Sequence, residues 1–556
     1  MLIMEQKYME DIAQFLHDVE WIYDFHVTKI FTKDIFSQMP EDWKASLVNL
    51  PLHILNGIPQ GKAQEDWPHS LQLLLEKCRK FSLQNLARTS PENDPEADTR
   101  KVPQSFTKGL SEKKRHEVLY LLKLTKRIAD VTGSRYVLDI GSGLGYIDSL
   151  LHHMLKLTVV GVESQEKYVK SATERQARLF SECRGVRHMH WALRDDEETL
   201  QRAQREVLEI VKTGVTCTCK EEKKGARKPL ENLQSPSSSN CVTGPSPEHC
   251  HVEENSSSGK SAILIGLHSC ADLSPIMLKV FQGCPQLSSL ILLSCCYHKM
   301  APEKWKVEGS QGKETNCVGA VCDTVDTDFN AFREEQSPSS LSDEELKVCS
   351  FMNFPLSKAL KAILAQRKIS FSTFGLRLAA QESGLRWMHQ TEKDHITHRN
   401  SVAYRAILEA FCDKDGLTVK RLRRHARKSS FDNFEEYINA ITMNYKFVPA
   451  NSSISVEDHE NSLPQEKEDC TGEFMQGSTK ENITKELTEC YKRFEHLFPL
   501  IEPLTGLQLA LQPVMEALIL IDRVSFLKEA GFHNILLEKV FDVAISPRNV
   551  ALVAIR

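Results

Sequence analysis

The sequence predicts a mixed α/β fold: an open, mostly parallel sheet flanked by helices and finished by an antiparallel hairpin, with an N-terminal helical region and two low-complexity insertions. Three observations predict it. From Arg135, apolar runs of strand length alternate with stretches of helical periodicity. Three glycines stand where the first of these strands hands over to a helix, in "YVLDIGSGLGYIDSLL" at 136–151. The last two strands, "ILLEKVFDV" and "VALVAIR", are separated only by "AISPRN", too short for a parallel crossover, so they must pair antiparallel.

Taken in order, residues 1–100 are an N-terminal helical region and its linker. "DIAQFLHDVEWIYDFHVTKIF" spaces its apolar residues by three and four, and "SPENDPEADTRKVP" is polar and proline-bearing. The first part of the core spans 101–213. It opens with a helix, "SEKKRHEVLYLLKLTKRIADV", for which Ser111 is a suitable N-cap. Strand "YVLDI", helix "GYIDSLLHHML", strand "TVVGVE", helix "QEKYVKSATERQARLF", strand "VRHMHWA" and a helix across Gln201–Val211 follow, a rhythm that implies right-handed crossovers.

Residues 214–260, rich in Ser, Pro and charge, cannot bury a core and read as a disordered insertion. The core resumes over 261–300 with "AILIGL", a helix near 273–282 and "LSSLILLS". A mostly helical insertion at 301–445 and a low-complexity linker at 446–488 separate it from its last part, 489–556. That part holds the helix "PVMEALILIDRVSFLKEAGF" and the hairpin.

Lys plus Arg number 70 against 75 for Asp plus Glu in 556 residues, so the overall charge steers nothing toward nucleic acid. No apolar run reads as long enough to span a bilayer, and the start lacks the pattern of a signal peptide. The 16 cysteines are scattered. Without an export signal they read as reduced thiols of a cytoplasmic or nuclear protein.

The glycines at 141, 143 and 145 let the backbone turn sharply and approach a ligand, at the carboxyl end of the first core strand where open α/β sheets bind ligands. A dinucleotide site wants G-x-G-x-x-G; here the pattern is G-x-G-x-G, and Tyr146 takes the place of the third glycine. Asp139, two residues before Gly141, would face the ligand and repel a pyrophosphate. It suits a cation carrying an ammonium and a sulfonium. Glu163, ending the next strand, is placed to accept both ribose hydroxyls, a role common to both readings.

These residues and the terminal hairpin resemble the Rossmann-like, seven-stranded class I S-adenosylmethionine-dependent methyltransferases. The resemblance assigns cofactor binding to Asp139, Gly141, Ser142, Gly143, Gly145 and Glu163, and S-adenosyl-L-methionine as the cofactor. It also places the ends of the next two strands beside the transferred methyl. "ILIG" runs into "LHSCADLS", with His268, Cys270 and Asp272; "LILLS" runs into "CCYHKM", with Cys295, Cys296, His298 and Lys299.

Three readings of that pairing stand side by side. The cysteines and histidines are buried packing groups; His298 or His268 is a general base, because imidazole titrates nearest physiological pH; or His268, Cys270, Cys296 and His298 bind zinc. The general base is preferred, with His298, His268 and Cys296 as the catalytic candidates. Neighbouring cysteines on an extended chain point to opposite sides and no C-x-x-C occurs there, so no metal is assigned.

The Asn/Asp-Pro-Pro-Tyr/Phe tetrad of many exocyclic-amine methyltransferases is replaced by "GLHSCADL", so no DNA partner is expected. "KKRHEV", "LDIGSGLGY", "GLHSCADLS", "LLSCCYHKM", "FPLS" and "VFDVAISPRN" closely match the methyltransferase-like protein 25 family. The Cys-Cys-x-His element is similar to Cys-Cys-His-His in tRNA ribose methyltransferases, but Tyr297 interrupts it. The extra helical regions point to a macromolecular acceptor, RNA or protein, with no membrane. A scaffold that keeps the fold without chemistry, and a nicotinamide-dependent oxidoreductase, are the alternatives.

Three further segments have two readings each. His116 and Glu117 in "KKRHEV" line the cofactor pocket or lie on a solvated helix face. "KRLRRHARK" at 420–428 binds phosphates, serves nuclear import or is a solvated helix. The cysteines of "CTC" at 217–219 are too irregularly spaced, in a low-complexity stretch, to be taken as metal ligands.

Overall fold

The computed structural model describes residues 2–90, 102–179, 184–213, 261–303, 350–421, 431–449 and 480–556. The insertion at 214–260, the cysteines at 217–219, the basic residues 422–428 and most of the second low-complexity stretch lie outside them.

Helices α1 (Leu2–Asp18) and α2 (His69–Phe81) begin the chain, followed by a two-residue strand, β1 (Arg88–Thr89). Helix α3 (Glu112–Thr132) is capped by Ser111, whose hydroxyl accepts from the Lys114 N–H at 3.3 Å, and ends at Gly133 with φ 68°. The alternating part then reads β2 (Tyr136–Ile140), α4 (Tyr146–Leu155), β3 (Thr158–Glu163), α5 (Glu166–Leu179), β4 (Val186–His190), α6 (Glu197–Thr213), β5 (Ala262–Ser269), α7 (Leu273–Gly283) and β6 (Leu287–Ser294).

A helical stretch holds α8 (Lys358–Arg367), α9 (Thr373–Ala379) and α10 (Glu392–Asp415), with a two-stranded ribbon of β7 (Leu417–Arg421) and β8 (Tyr445–Pro449). The chain closes with α11 (Ile501–Glu529), β9 (Asn534–Lys539) and β10 (Val550–Ile555).

The main sheet has the order β1-β9-β10-β6-β5-β2-β3-β4. Strands β6, β5, β2, β3 and β4 run parallel, and β10 is antiparallel to both β6 and β9. Among the described residues the sheet therefore has eight strands where seven are expected. Arg88 and Thr89 pair parallel with Glu538 and Lys539 and cover the outer edge of β9. Two exposed residues carry no apolar alternation, so nothing in the sequence announces them.

Alternation along β2 divides the layers. Leu138 and Ile140 pack with α6, α7 and Leu527 on one face; Val137 packs with α3 and α4 on the other. A separate core joins α1, α2, α8, α9 and α10 to the first two-thirds of α11, through residues such as Leu16, Leu75, Leu376, Ile407 and Leu511. Helix α11 thus serves both bodies. Within Lys480–Glu529 lies a window apolar enough by composition to cross a bilayer, contrary to the reading that no such run exists, and 78% of that window is buried inside the protein. Burial between two bodies accounts for the apolarity of this core helix.

Candidate active site

The glycine loop bridges β2 and α4 with Gly141, Gly143 and Gly145 at φ 80°, 55° and 66°, all left-handed. The Gly141 and Ser142 N–H groups donate to the Val162 carbonyl at 2.8 and 3.1 Å, which ties the loop to β3. A Cβ placed on Gly143 would meet no atom within 4 Å, so this side of the loop is open. A Cβ on Gly145 would come within 2.5 Å of His188, so that glycine is required by packing. Glu163, at the end of β3, accepts from the Gly143 N–H at 3.1 Å through one oxygen and from the Gln165 N–H at 3.0 Å through the other. It braces the loop from the end of β3.

Asp139 does not face the cleft, contrary to expectation. Its place in the β2 alternation turns it, with Val137, toward α4, and it is 1% exposed. There it joins Ser142, Asp148 and His188 around Gly161, where a Cβ would fall 2.4 Å from Asp148 Oδ2, 2.7 Å from Ser142 Oγ and 2.8 Å from His188 Nδ1. Among the described residues, Asp139 Oδ1, Ser142 Oγ, both Asp148 carboxyl oxygens and both His188 ring nitrogens have no hydrogen-bond partner. His188 Nδ1 approaches Asp148 Oδ2 to 3.4 Å without hydrogen-bond alignment.

Burial pushes the Asp139 carboxyl up to about 6; the Asp148 carboxyl opposes the rise and the Glu163 charge adds to it. Burial, and then the Asp139 charge, hold Asp148 well above the usual range. Burial, with Arg175 adding to it, pulls His188 down to about 4. His188 is therefore neutral at physiological pH.

The ends of β5 and β6 lie side by side, Ser269 registered opposite Ser294. His268 takes φ 60° and its Nε2 stands 2.9 Å from Glu117 Oε2. Glu117 comes from α3, is 1% exposed and also accepts from Ser546 Oγ at 2.7 Å. Burial opposes its charge, but the contacts with His268 and Ser546 outweigh it and hold the carboxyl below the usual range. Of the two readings of "KKRHEV", the solvated face fails for Glu117. The neighbouring His116 accepts from the Asp542 N–H at 2.9 Å and packs its ring, tilted, against Tyr120.

Cys296 and the half-buried His298 follow β6 in a turn with Tyr297. The Tyr297 hydroxyl donates to Glu516 at 3.0 Å and the Arg523 guanidinium lies over its ring, so the residue that interrupts the Cys-Cys-His-His pattern anchors the turn to α11. The Sγ atoms of Cys270, Cys295 and Cys296 lie within 4.8 Å of one another, although neighbouring cysteines are expected on opposite sides. The chain is not extended there: Tyr297 N–H donates to the Cys295 carbonyl at 2.9 Å across Cys296 at φ −83° and ψ 69°, an inverse γ-turn. A cleft of about 280 Å³ lined by residues such as Arg194, Asp195, Leu200 and Lys279 contains none of these residues.

Residues 113–303, from α3 through the turn after β6, match a family model described as a methyltransferase domain. The chain carries a methyltransferase domain. It resembles proteins named "Probable methyltransferase-like protein 25". The one from Mus musculus is 22% identical, with 88% of this chain and 83% of that protein aligned. The one from Homo sapiens is 21% identical, with 82% of this chain and 76% of that protein aligned. No solved structure matches the chain. The matched segment includes Glu117, the glycine loop, Glu163, His268 and the three clustered cysteines, so the methyltransferase domain and the site coincide.

Sequence reasoning did not anticipate Asp148, His188 and Arg175. Arg175 stacks on Tyr146 and donates to Ser149 Oγ at 2.9 Å and to the Phe106 carbonyl at 2.9 Å, holding the start of α4. Asp148 could have been found by its place on the apolar face of α4; His188 and Arg175 carry no local signal.

Proposed function

We propose that this methyltransferase uses S-adenosyl-L-methionine and acts on a macromolecular acceptor, RNA or protein. The observation that carries the cofactor is the left-handed glycine loop, open at Gly143 and braced by Glu163. The residues fit the group. Gly141 and Gly143 supply a backbone cradle without side chains in the way, Ser142 and the packed Gly145 complete the loop, Glu163 retains acceptor capacity toward ribose, and Asp139 supplies negative charge from beneath the loop rather than by contact. When bound, S-adenosylmethionine supplies a methyl group on a positively charged sulfur.

The chain's own contribution on the acceptor side is a positioned base. An ionised Glu117 fixes the tautomer of His268 with Nε2–H donating, leaving Nδ1 to take the acceptor's proton, and the same carboxylate stabilises the imidazolium that forms. The His268 side chain is 32% exposed and thus open to an acceptor. Cys296 and His298 stand on the neighbouring strand end. A large acceptor is supported by the helical body, which is fastened to this edge: Arg548, in the β9–β10 loop, donates to the Ala379 carbonyl, and Tyr297 reaches Glu516.

Calorimetry with S-adenosylmethionine is expected to give binding that Gly143→Arg abolishes. Tritiated-methyl labelling of a knockout extract is then expected to mark material destroyed by ribonuclease or by protease. Binding without label in any fraction would favour a non-catalytic scaffold, and absence of binding would remove the cofactor reading.

A further inference from the structure

We infer that Cys270, Cys295 and Cys296 form a three-thiolate site for a zinc-class divalent ion. The three sulfurs come from two adjacent strand ends and lie within 4.8 Å of one another. Tetrahedral zinc with metal–sulfur distances near 2.3 Å spaces its sulfurs by about 3.8 Å. Cys295 and Cys296 Sγ are 3.7 Å apart, and Cys270 and Cys295 Sγ 2.8 Å. The γ-turn at Cys296 is what brings sequence neighbours to one side.

The site is held from behind. Ala271 N–H donates to the Cys296 carbonyl at 3.3 Å, and Asp272 accepts from the Ala301 N–H at 2.7 Å and from Asn353 at 2.9 Å. Ser274 and Ser294 hydroxyls meet at 2.7 Å. Two non-glycine residues of the segment that carries Cys270 are in left-handed conformation, His268 two positions before it at φ 60° and Ala271 directly after it at φ 52°. These contacts fix the loops that carry the sulfurs, the support that metal ligands need.

Charge and softness select the ion. Three thiolates around a divalent cation leave one net negative charge, and the buried Arg523 guanidinium interacts electrostatically with Cys295 and donates to Ser294 Oγ at 2.5 Å. Soft sulfur ligands favour zinc over magnesium or calcium. Three protein ligands leave the fourth position to water or an exogenous donor, as in catalytic rather than structural zinc sites. Loading releases the thiol protons to solvent as the sulfur–metal bonds form.

The test uses the full chain purified under reducing conditions. Elemental analysis is expected to find about one zinc per chain, and zinc-edge X-ray absorption of the unmodified protein about three sulfur neighbours. Cobalt substitution is expected to give thiolate-to-cobalt charge-transfer bands, lost in Cys295→Ser and Cys270→Ser and kept in Cys78→Ser. The absorption measurement needs no variant, so a misfolded mutant cannot decide the outcome.

A metal-free chain after zinc exposure, an unchanged cobalt spectrum in Cys295→Ser, or a Cys270–Cys295 disulfide in protein isolated without oxidant would each overturn the site. None of these readouts depends on the methyl acceptor.

Discussion

At the residue scale, the buried Asp139 carboxyl bears on stability directly and, under the proposed function, on cofactor binding. Its carboxyl titrates near 6 in the folded chain because it is buried, against about 3.9 when unfolded. The folded state therefore binds more protons than the unfolded state between these values, and stability falls as pH rises through that window. The full penalty is at most ~3 kcal/mol. Asp139→Asn is expected to flatten the decline and raise stability at pH 7, while weakening binding of the cationic cofactor. Denaturant melts from pH 4.5 to 7.5 check the first effect and calorimetry the second; parallel melting curves for the two proteins would refute it. Gly143→Ala separates fold from ligand in another way. Its Cβ meets nothing, so the fold loses only the left-handed penalty of about 1–2 kcal/mol, while cofactor affinity falls. Gly161→Ala drives a Cβ into Asp148, Ser142 and His188, and is expected to cost about 1–3 kcal/mol whether or not cofactor is present.

At the scale of elements, α3 and β5 meet through Glu117 and His268. Glu117→Gln keeps the side-chain volume but removes the charge that sets the His268 tautomer. Methyl transfer is expected to drop about 10²-fold or more while the cofactor dissociation constant holds, and the drop should be smaller for acceptors that need no proton removed. Equal loss of cofactor affinity would make Glu117 merely structural. This pairing joins residues 151 positions apart, and no local pattern reveals it. The parallel strands, the glycine turn and the closing hairpin were legible because each is written in neighbours: period-2 or buried runs, glycine at a strand end, a loop too short to cross over. Asp139 was misjudged because the motif suggests a ligand contact, whereas alternation along β2 decides which face it occupies. Cys295 and Cys296 were separated by assuming an extended chain where a γ-turn intervenes. The strand β1 was invisible because two residues have no period.

At the scale of the molecule, α11 makes the sheet and the helical body one structure. Its buried charges each dock a different segment. Glu502 sits 2.6 Å from both His395 and His398 of α10; Glu516 accepts from Tyr297, and from Arg548 at 2.9 Å; Asp522 accepts from the Leu356 and Ser357 N–H groups at 2.7 and 2.9 Å. Removing one partner of such a buried set leaves the others uncompensated, so Glu516→Ala is expected to cost about 3–5 kcal/mol. Because the helix belongs to both cores, unfolding should be a single transition. Trp43, Trp67 and Trp387 are buried in the helical body, with Trp21 packed against it, whereas Trp191 is buried in the sheet core; in a chain carrying Trp191→Phe and Trp305→Phe the tryptophan signal reports on the helical body. S-adenosylhomocysteine at 100 times its dissociation constant should stabilise by about 2.7 kcal/mol, and the tryptophan-detected midpoint should rise with the calorimetric one. Were the tryptophan transition to stay in place while the calorimetric peak split, the two bodies would be independent. The helical body could then not be a fixed wall for the acceptor, and the case for a macromolecular substrate would lose its structural support.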